Sequence, residues 1–230
     1  MKIKFDTYRT EDINYKLTQA GFYPLDIMVT GVTGAGKSTT LNSFFQKCVA
    51  KVGDGVAPET MALESYVLNE VLRIWDTPGV GDGVEEDRIH KRKMISLLTK
   101  TYSHDGNKYG FIDMVIVIVE GVKRDMGMTY SLLNEVIVPN IQTDRLLVLI
   151  NQADLAMSGR HWNYTINMPD PYLLEFLEKQ AYSIKNRVKE ATGVNISKPI
   201  YYSAEYGYNV KEVFDYIIDC MPIQRRILIK

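Results

Sequence analysis

The chain has 230 residues and a formal net charge of −1, with 46% hydrophobic and 24% charged residues. That supplies the apolar material for one large domain core, and a charge too small to draw the whole molecule to nucleic acid or anionic lipid. Two cysteines, Cys48 and Cys220, exclude a disulfide framework, and the start MKIKFDTYRTED lacks the apolar stretch of a secretory leader, so a cytoplasmic protein is expected.

In chain order, residues 1–24 read as an N-terminal extension. LDIMVT (25–30) is a short apolar strand that ends at Gly31, and a helix follows over 37–48. ALESYVLN (62–69) and EVLRIWD (70–76) read as neighbouring strands, arranged as a hairpin. A charged amphipathic helix is predicted over 84–102. FIDMVIVIV (111–119) is the most hydrophobic strand and is placed at the sheet centre. The full apolar run contains Asp113 and is too short to cross a bilayer, so no integral membrane association is expected.

A helix near 126–136 precedes the strand RLLVLIN (145–151). Asp170 and Pro171 suit the cap and first position of a helix that runs to about Ala191 and stops at Gly193. PIYYSA (199–204) is a last strand and NVKEVFDYIIDC (209–220) a last helix. QRRILIK (224–230) is read as a short packed or frayed tail, the alternatives being a membrane contact or the start of a further segment. The loop 157–168 is longer than most connections. Strands that alternate with helices give an α/β fold whose ligands bind at the carboxyl ends of the strands.

Chemistry-bearing motifs fall at those ends. GVTGAGKS (31–38) has the spacing G-x-x-x-x-G-K-[ST] between a strand and a helix. Its glycines let the backbone curl so that several N–H groups point inward, at the positive end of the following helix. Gly31, Thr33, Gly34, Ala35, Gly36, Lys37, Ser38 and Thr39 are the candidate phosphate contacts. Lys37 would reach the β- and γ-phosphates and Ser38 would set its hydroxyl on Mg²⁺. WDTPG (75–79) ends another strand: Asp76 would hold Mg²⁺ through water, and the Gly79 N–H would face the γ-phosphate. Thr60, in the intervening loop, would complete the Mg²⁺ shell if it is more than an ordinary loop residue. Trp75 is read as core.

INQADL (150–155) then reads as the base end. Asp154 can accept two hydrogen bonds from guanine N1 and N2, and Asn151 would hold the loop and touch N7. Gln152 replaces the lysine of the usual NKxD, which predicts weaker or less rigid base binding with discrimination kept by Asp154. Ser203 and Ala204 close the last strand, where a backbone N–H can meet guanine O6. The competing reading is an ATP-using P-loop protein with an accidental NQAD.

On GVTGAGKSTTLN, Thr60, DTPG, NQAD and SAEYGYNV the chain resembles the TRAFAC-class P-loop GTPases, in particular the TrmE–Era-like group and the small Era-like GTPases of bacterial accessory genomes. Its P-loop is also similar to that of immunity-related, immunity-associated and septin GTPases. The resemblance implies a three-layer P-loop NTPase fold, a Ras-like G domain over 25–222, with a mostly parallel six-stranded sheet and helices on both faces. It implies GTP and GDP as ligands, Mg²⁺ as cofactor, and Lys37, Thr60 and Gly79 as the catalytic set for GTP hydrolysis. Gly34 stands where potassium-activated members carry asparagine, which leaves potassium doubtful. Val80 stands where Ras-like switches place a water-orienting glutamine, which implies slow intrinsic hydrolysis with help from elsewhere. Candidate helpers are the switch residues Glu59 and Asp82, an activating protein, or a second copy across the nucleotide face, with Arg88, Arg92 and Arg124 as arginines to supply. EEDRIHKRK (85–93) is read as a solvated helix face against a partner contact, and the three histidines His90, His104 and His161 show no ligand spacing. A dimerising assembly GTPase is the alternative function. Ribosome or RNA contact follows by analogy only.

Overall fold

The computed structural model describes residues 4–21, 24–46, 64–69, 71–122 and 126–228. Thr60, Glu59, Arg124 and Cys48 lie outside these residues.

Helix α1 spans Thr10–Ala20, and β1 (Leu25–Gly31) leads through the P-loop into α2 (Lys37–Phe45). Strands β2 (Glu64–Asn69) and β3 (Leu72–Asp76) form an antiparallel hairpin. Helix α3 (Val84–Thr99) is followed by β4 (Thr101–His104) and β5 (Asn107–Gly110), then by β6 (Met114–Glu120). Helix α4 (Gly127–Leu132) continues as a π-helical turn over Leu133–Ile137, and β7 spans Leu146–Asn151. The two-residue strands β8 (Trp162–Asn163) and β9 (Met168–Pro169) pair within the long loop. Helix α5 (Pro171–Thr192), β10 (Ile200–Tyr201) and α6 (Val210–Asp219) complete the chain.

The main sheet has six strands in the order β10-β7-β6-β1-β3-β2, parallel except for β2 at one edge. Every residue of β1 and β7 is buried, as is β6 up to Val119. Successive side chains of a strand point to opposite faces, so this pattern requires cover on both sides of the sheet. One helix group is joined by an aromatic cluster, with Phe5 4.8 Å from Phe214 of α6 and 6.1 Å from Phe44 of α2. The other comprises α3, α4 and α5. The registers Val29↔Asp76, Gly31↔Ile118 and Glu120↔Asn151 bring the carboxyl ends of β1, β3, β6 and β7 to one edge, where the motifs lie.

Three expected element boundaries are corrected. Helix α3 ends at Thr99 rather than 102, because Lys100 is extended (φ −60°, ψ 138°) and the chain turns into the β4–β5 hairpin. Asp105 and Gly106, at φ 50° and 78°, make the tight turn that Asp-Gly favours in a hairpin. Helix α2 stops at Phe45 rather than 48, with Gln46 left-handed at φ 54°. The last strand is cut to Ile200–Tyr201, because Ser203 instead bridges back to Tyr208. In the N-terminal extension, Ile13, Leu17 and Ala20 of α1 enter the main core, and the Lys16 ammonium donates to the carbonyls of Ile218 and Asp219 at the end of α6.

The tail is packed, with Arg226 fully buried and its carbonyl accepting from the Gly110 N–H at 2.8 Å. Among the described residues, no helix is long and apolar enough to cross a membrane.

Candidate nucleotide-binding site

The P-loop is shaped by contacts that only glycine permits. Gly36 has φ 81°, and a Cβ there would overlap the Asn151 side-chain amide. A Cβ on Gly31 would overlap the Ile118 carbonyl. The loop therefore closes directly onto β6 and onto the end of β7. The Lys37 ammonium is buried and sits 3.2 Å from the Val32 carbonyl and 3.5 Å from that of Gly31, curled under the loop it follows. Burial lowers its pKa, while Asp76, Asp82 and Glu120 oppose that shift. A polyanion in the loop would supply the counter-charge that burial demands.

Ser38 is the second residue of α2, with its hydroxyl 3.4 Å from Asp76 Oδ2 at the end of β3. A hydroxyl and a buried carboxylate converge there, beside the N-terminus of a helix. Hard oxygen donors of this kind suit Mg²⁺, which keeps several waters and takes few protein ligands. Thr39 is half-buried one residue further along the first turn.

The segment 79–82 lies against the P-loop. The Val80 N–H donates to the Gly31 carbonyl (3.3 Å), and the Val80 carbonyl accepts from the Thr33 N–H (2.8 Å). The Thr33 hydroxyl donates to Asp82 Oδ2 at 2.9 Å. Val80 itself is buried, so its side chain offers nothing that orients water. Arg88 is exposed and paired with Glu85, and Arg92 is exposed on the same helix.

The end of β7, with the NQAD residues, is bracketed to the P-loop by side chains. Asn151, buried at the end of β7, donates from Nδ2 to the Ala35 carbonyl and accepts on Oδ1 from the Ala204 N–H, each at 3.0 Å. Gln152, left-handed at φ 62°, donates from Nε2 to the Gly34 carbonyl at 2.9 Å. Asp154 is buried in the turn that follows, and the fully buried Ser203 receives the Tyr206 N–H on its hydroxyl at 3.3 Å. The structure thus brings Gly31, Thr33, Gly34, Ala35, Gly36, Asn151, Gln152 and Ala204 into one bonded frame. Lys37, Ser38, Asp76 and Gly79 stand at its P-loop end, and Asp154 and Ser203 beside the end of β7.

Some supporting residues escaped the sequence reading. The Thr40 and Tyr202 hydroxyls are 2.7 Å apart and tie α2 to the end of β10. Burial raises the Tyr202 phenol's pKa, and the Thr40 contact opposes it. Asp87 of α3 accepts the N–H groups of Gly81 (2.6 Å) and Asp82 (3.2 Å). His90 is buried with Nδ1 2.8 Å from the Gly79 carbonyl. The one signal for these in the sequence is spacing: His90 shares the inward face of α3 with Met94, Leu97 and Leu98.

A family model described as 50S ribosome-binding GTPase matches residues 26–185. The "Probable GTP-binding protein EngB" of Mycoplasma pneumoniae is 25% identical over 195 residues, 83% of this chain and 84% of that protein. The septin homolog spn2 of Schizosaccharomyces pombe is 34% identical over 98 residues, 37% of this chain, and the match spans only 29% of the septin. Toc33 of Arabidopsis thaliana, solved with Mg²⁺ and GMPPNP, superposes with a TM-score of 0.63 at 14% identity over 98% of both chains, a likeness of fold.

Proposed function

Because the chain belongs to the family of 50S ribosome-binding GTPases, we propose that it is a guanine-nucleotide switch that hydrolyses GTP slowly to GDP and phosphate. The observation that carries this reading is the Asn151 bracket. One buried amide joins the P-loop at Ala35 to the Ser203–Ala204 turn, so the Lys37 pocket and the Asp154 carboxylate are set on a single rigid frame. A frame that fixes the distance between a phosphate cradle and a carboxylate is built to measure a nucleotide.

In this reading Asp154 accepts from guanine N1 and N2, a donor pair that adenine lacks. Lys37, the P-loop N–H groups and the Gly79 N–H stabilise charge on the γ-phosphoryl group, with Thr60 as the further switch contact. Ser38 and Asp76 would hold Mg²⁺, which when bound neutralises phosphate charge. Hydrolysis is slow because Val80 is buried against the P-loop and no glutamine follows Gly79. A second copy facing the nucleotide is the proposed source of the missing group, in the cytoplasm. A dimerization-deficient variant of Toc33 has been solved with the same fold. An arginine supplied in trans is worth about 10³–10⁵ in rate, so specific activity should climb steeply with protein concentration; a flat dependence removes the second copy.

The test of the main reading is a competition titration. Fluorescent GDP is displaced by GTP, GDP, ATP and XTP, for the wild type and Asp154→Asn. Guanine preference in the wild type, moved toward XTP in the variant, is the expected outcome. Equal or tighter ATP binding by the wild type would defeat it.

A further inference from the structure

Gly79 has a positioning problem. Its backbone lies so close to Thr33 that a side chain there would overlap it, so no side chain anchors this position, and glycine is the residue with the most conformational freedom to lose. Hydrogen bonds do the holding. The peptide that joins Gly79 to Val80 is gripped at both ends: its N–H donates to the Gly31 carbonyl of the P-loop (3.3 Å), and its carbonyl meets His90 Nδ1 (2.8 Å). A carbonyl only accepts, so the imidazole proton sits on Nδ1.

His90 is 1% exposed and lies one turn after Asp87, whose carboxylate holds the N–H groups of Gly81 and Asp82. Two neighbouring side chains of α3 therefore set the backbone of 79–82 from one side while the P-loop sets it from the other. Such an arrangement fixes the peptide on the carboxyl side of Gly79. The Gly79 N–H lies on the other side of the same Cα, so holding that peptide limits where the N–H can point and ties α3 to whatever it binds.

We propose that His90 is a positioning residue that aligns Gly79 for the γ-phosphate and carries the occupancy of that position into α3. The inference rests on the guanine-nucleotide reading above and names the device by which that site separates the triphosphate from the diphosphate.

The experiment compares the affinities of GDP and a non-hydrolysable GTP analogue. His90→Leu keeps apolar volume and removes the donor, whereas His90→Asn keeps an N–H at the place of Nδ1. His90→Leu should lose about tenfold in affinity for the analogue, one hydrogen bond's worth, with GDP binding within about twofold of wild type. His90→Asn should recover most of the loss. A merely structural histidine would weaken both nucleotides together, or neither, and Asn would not rescue; either result overturns the proposal.

The wild type supplies a measurement that needs no variant. With three histidines in the chain, the ¹⁵N imidazole signals are separable, and that of His90 should move when the analogue replaces GDP. An unmoved signal overturns the proposal. Failure of the wild type to prefer guanine would defeat the nucleotide reading itself, and the two failures are told apart by the wild-type titration alone.

Discussion

Gln152 shows how one substitution can keep a contact and discard a charge. The lysine of NKxD normally braces the P-loop, and here the neutral amide does so with a 2.9 Å bond to the Gly34 carbonyl. The bracing survives while the positive charge does not. The bond is solvent-exposed and neutral, so its worth stays within the ordinary range for a hydrogen bond, about 0.5–1.5 kcal/mol. Gln152→Ala should therefore raise the GDP dissociation constant by roughly two- to tenfold and leave the melting temperature of the nucleotide-free protein nearly unchanged. An unchanged dissociation constant in a fluorescence titration would show that the Gly34 contact plays no part in the bound state. Asn151 differs because it is buried and serves two partners, each of which would be left unsatisfied by its loss.

At the scale of elements, α1 is part of the domain's stability. Arg9 pairs with Asp215 (3.2 Å) and Asp219 (2.8 Å) of α6, and Ile13 and Leu17 are buried in the common core. These ion pairs lie at the surface, half-buried at Asp215 and exposed at Asp219, and contribute little, so the apolar face decides. Ile13→Ala should cost about 2–5 kcal/mol of unfolding free energy, read by urea denaturation, while the folded protein binds GDP with wild-type affinity. A loss under 1 kcal/mol would mean that α1 frays without consequence.

The Ile13, Leu17, Ala20 spacing was present in the sequence, yet residues 1–24 read as an extension because the strand–P-loop pattern begins only at Leu25. The β4–β5 hairpin was missed for a different reason. The helical pattern of 84–99 has no stop residue at Lys100, although Asp105-Gly106 is a strong hairpin signal. By contrast α5 was legible at both ends, since Asp170 caps the Leu173 N–H at 2.9 Å and Gly193 turns left-handed. P-loop, DTPG, NQAD and SA residues were legible because their spacing follows the order of strand ends. His90 and the Thr40–Tyr202 pair were not: Tyr202 is distant from Thr40 in the chain, and the partner of His90 is a backbone carbonyl, which carries no sequence signal.

Over the whole molecule, the sheet carries charge at both ends, and the end away from the nucleotide frame holds a group that titrates near neutrality. Asp113 precedes β6 and accepts the Asp26 N–H on Oδ2 at 3.0 Å, while its own carbonyl accepts from Arg145 at 3.1 Å. Asp26 is occupied by Arg73 and by the Trp75 indole. Burial pushes the Asp113 carboxyl up to about 7; the Asp26 N–H opposes that shift, the Asp26 charge adds to it, and Arg145 and Arg226 oppose it further. In the unfolded chain the same carboxyl ionises near 3.9. Between those values the folded protein holds a proton that the unfolded chain has released, so stability falls as pH rises and the loss is complete above pH 7. From pH 6 to pH 8 the fall from this group should be about 1.4 kcal/mol. Asp113→Asn is neutral throughout and should remove that slope, becoming the more stable of the two at pH 8 relative to their difference at pH 6. Urea unfolding of both proteins at the two pH values measures the slope directly, and GDP affinity at pH 8 should match between them because the nucleotide frame lies at the opposite end of β6. Parallel pH profiles for the two proteins would show that Asp113 ionises as an ordinary carboxylate in the folded state.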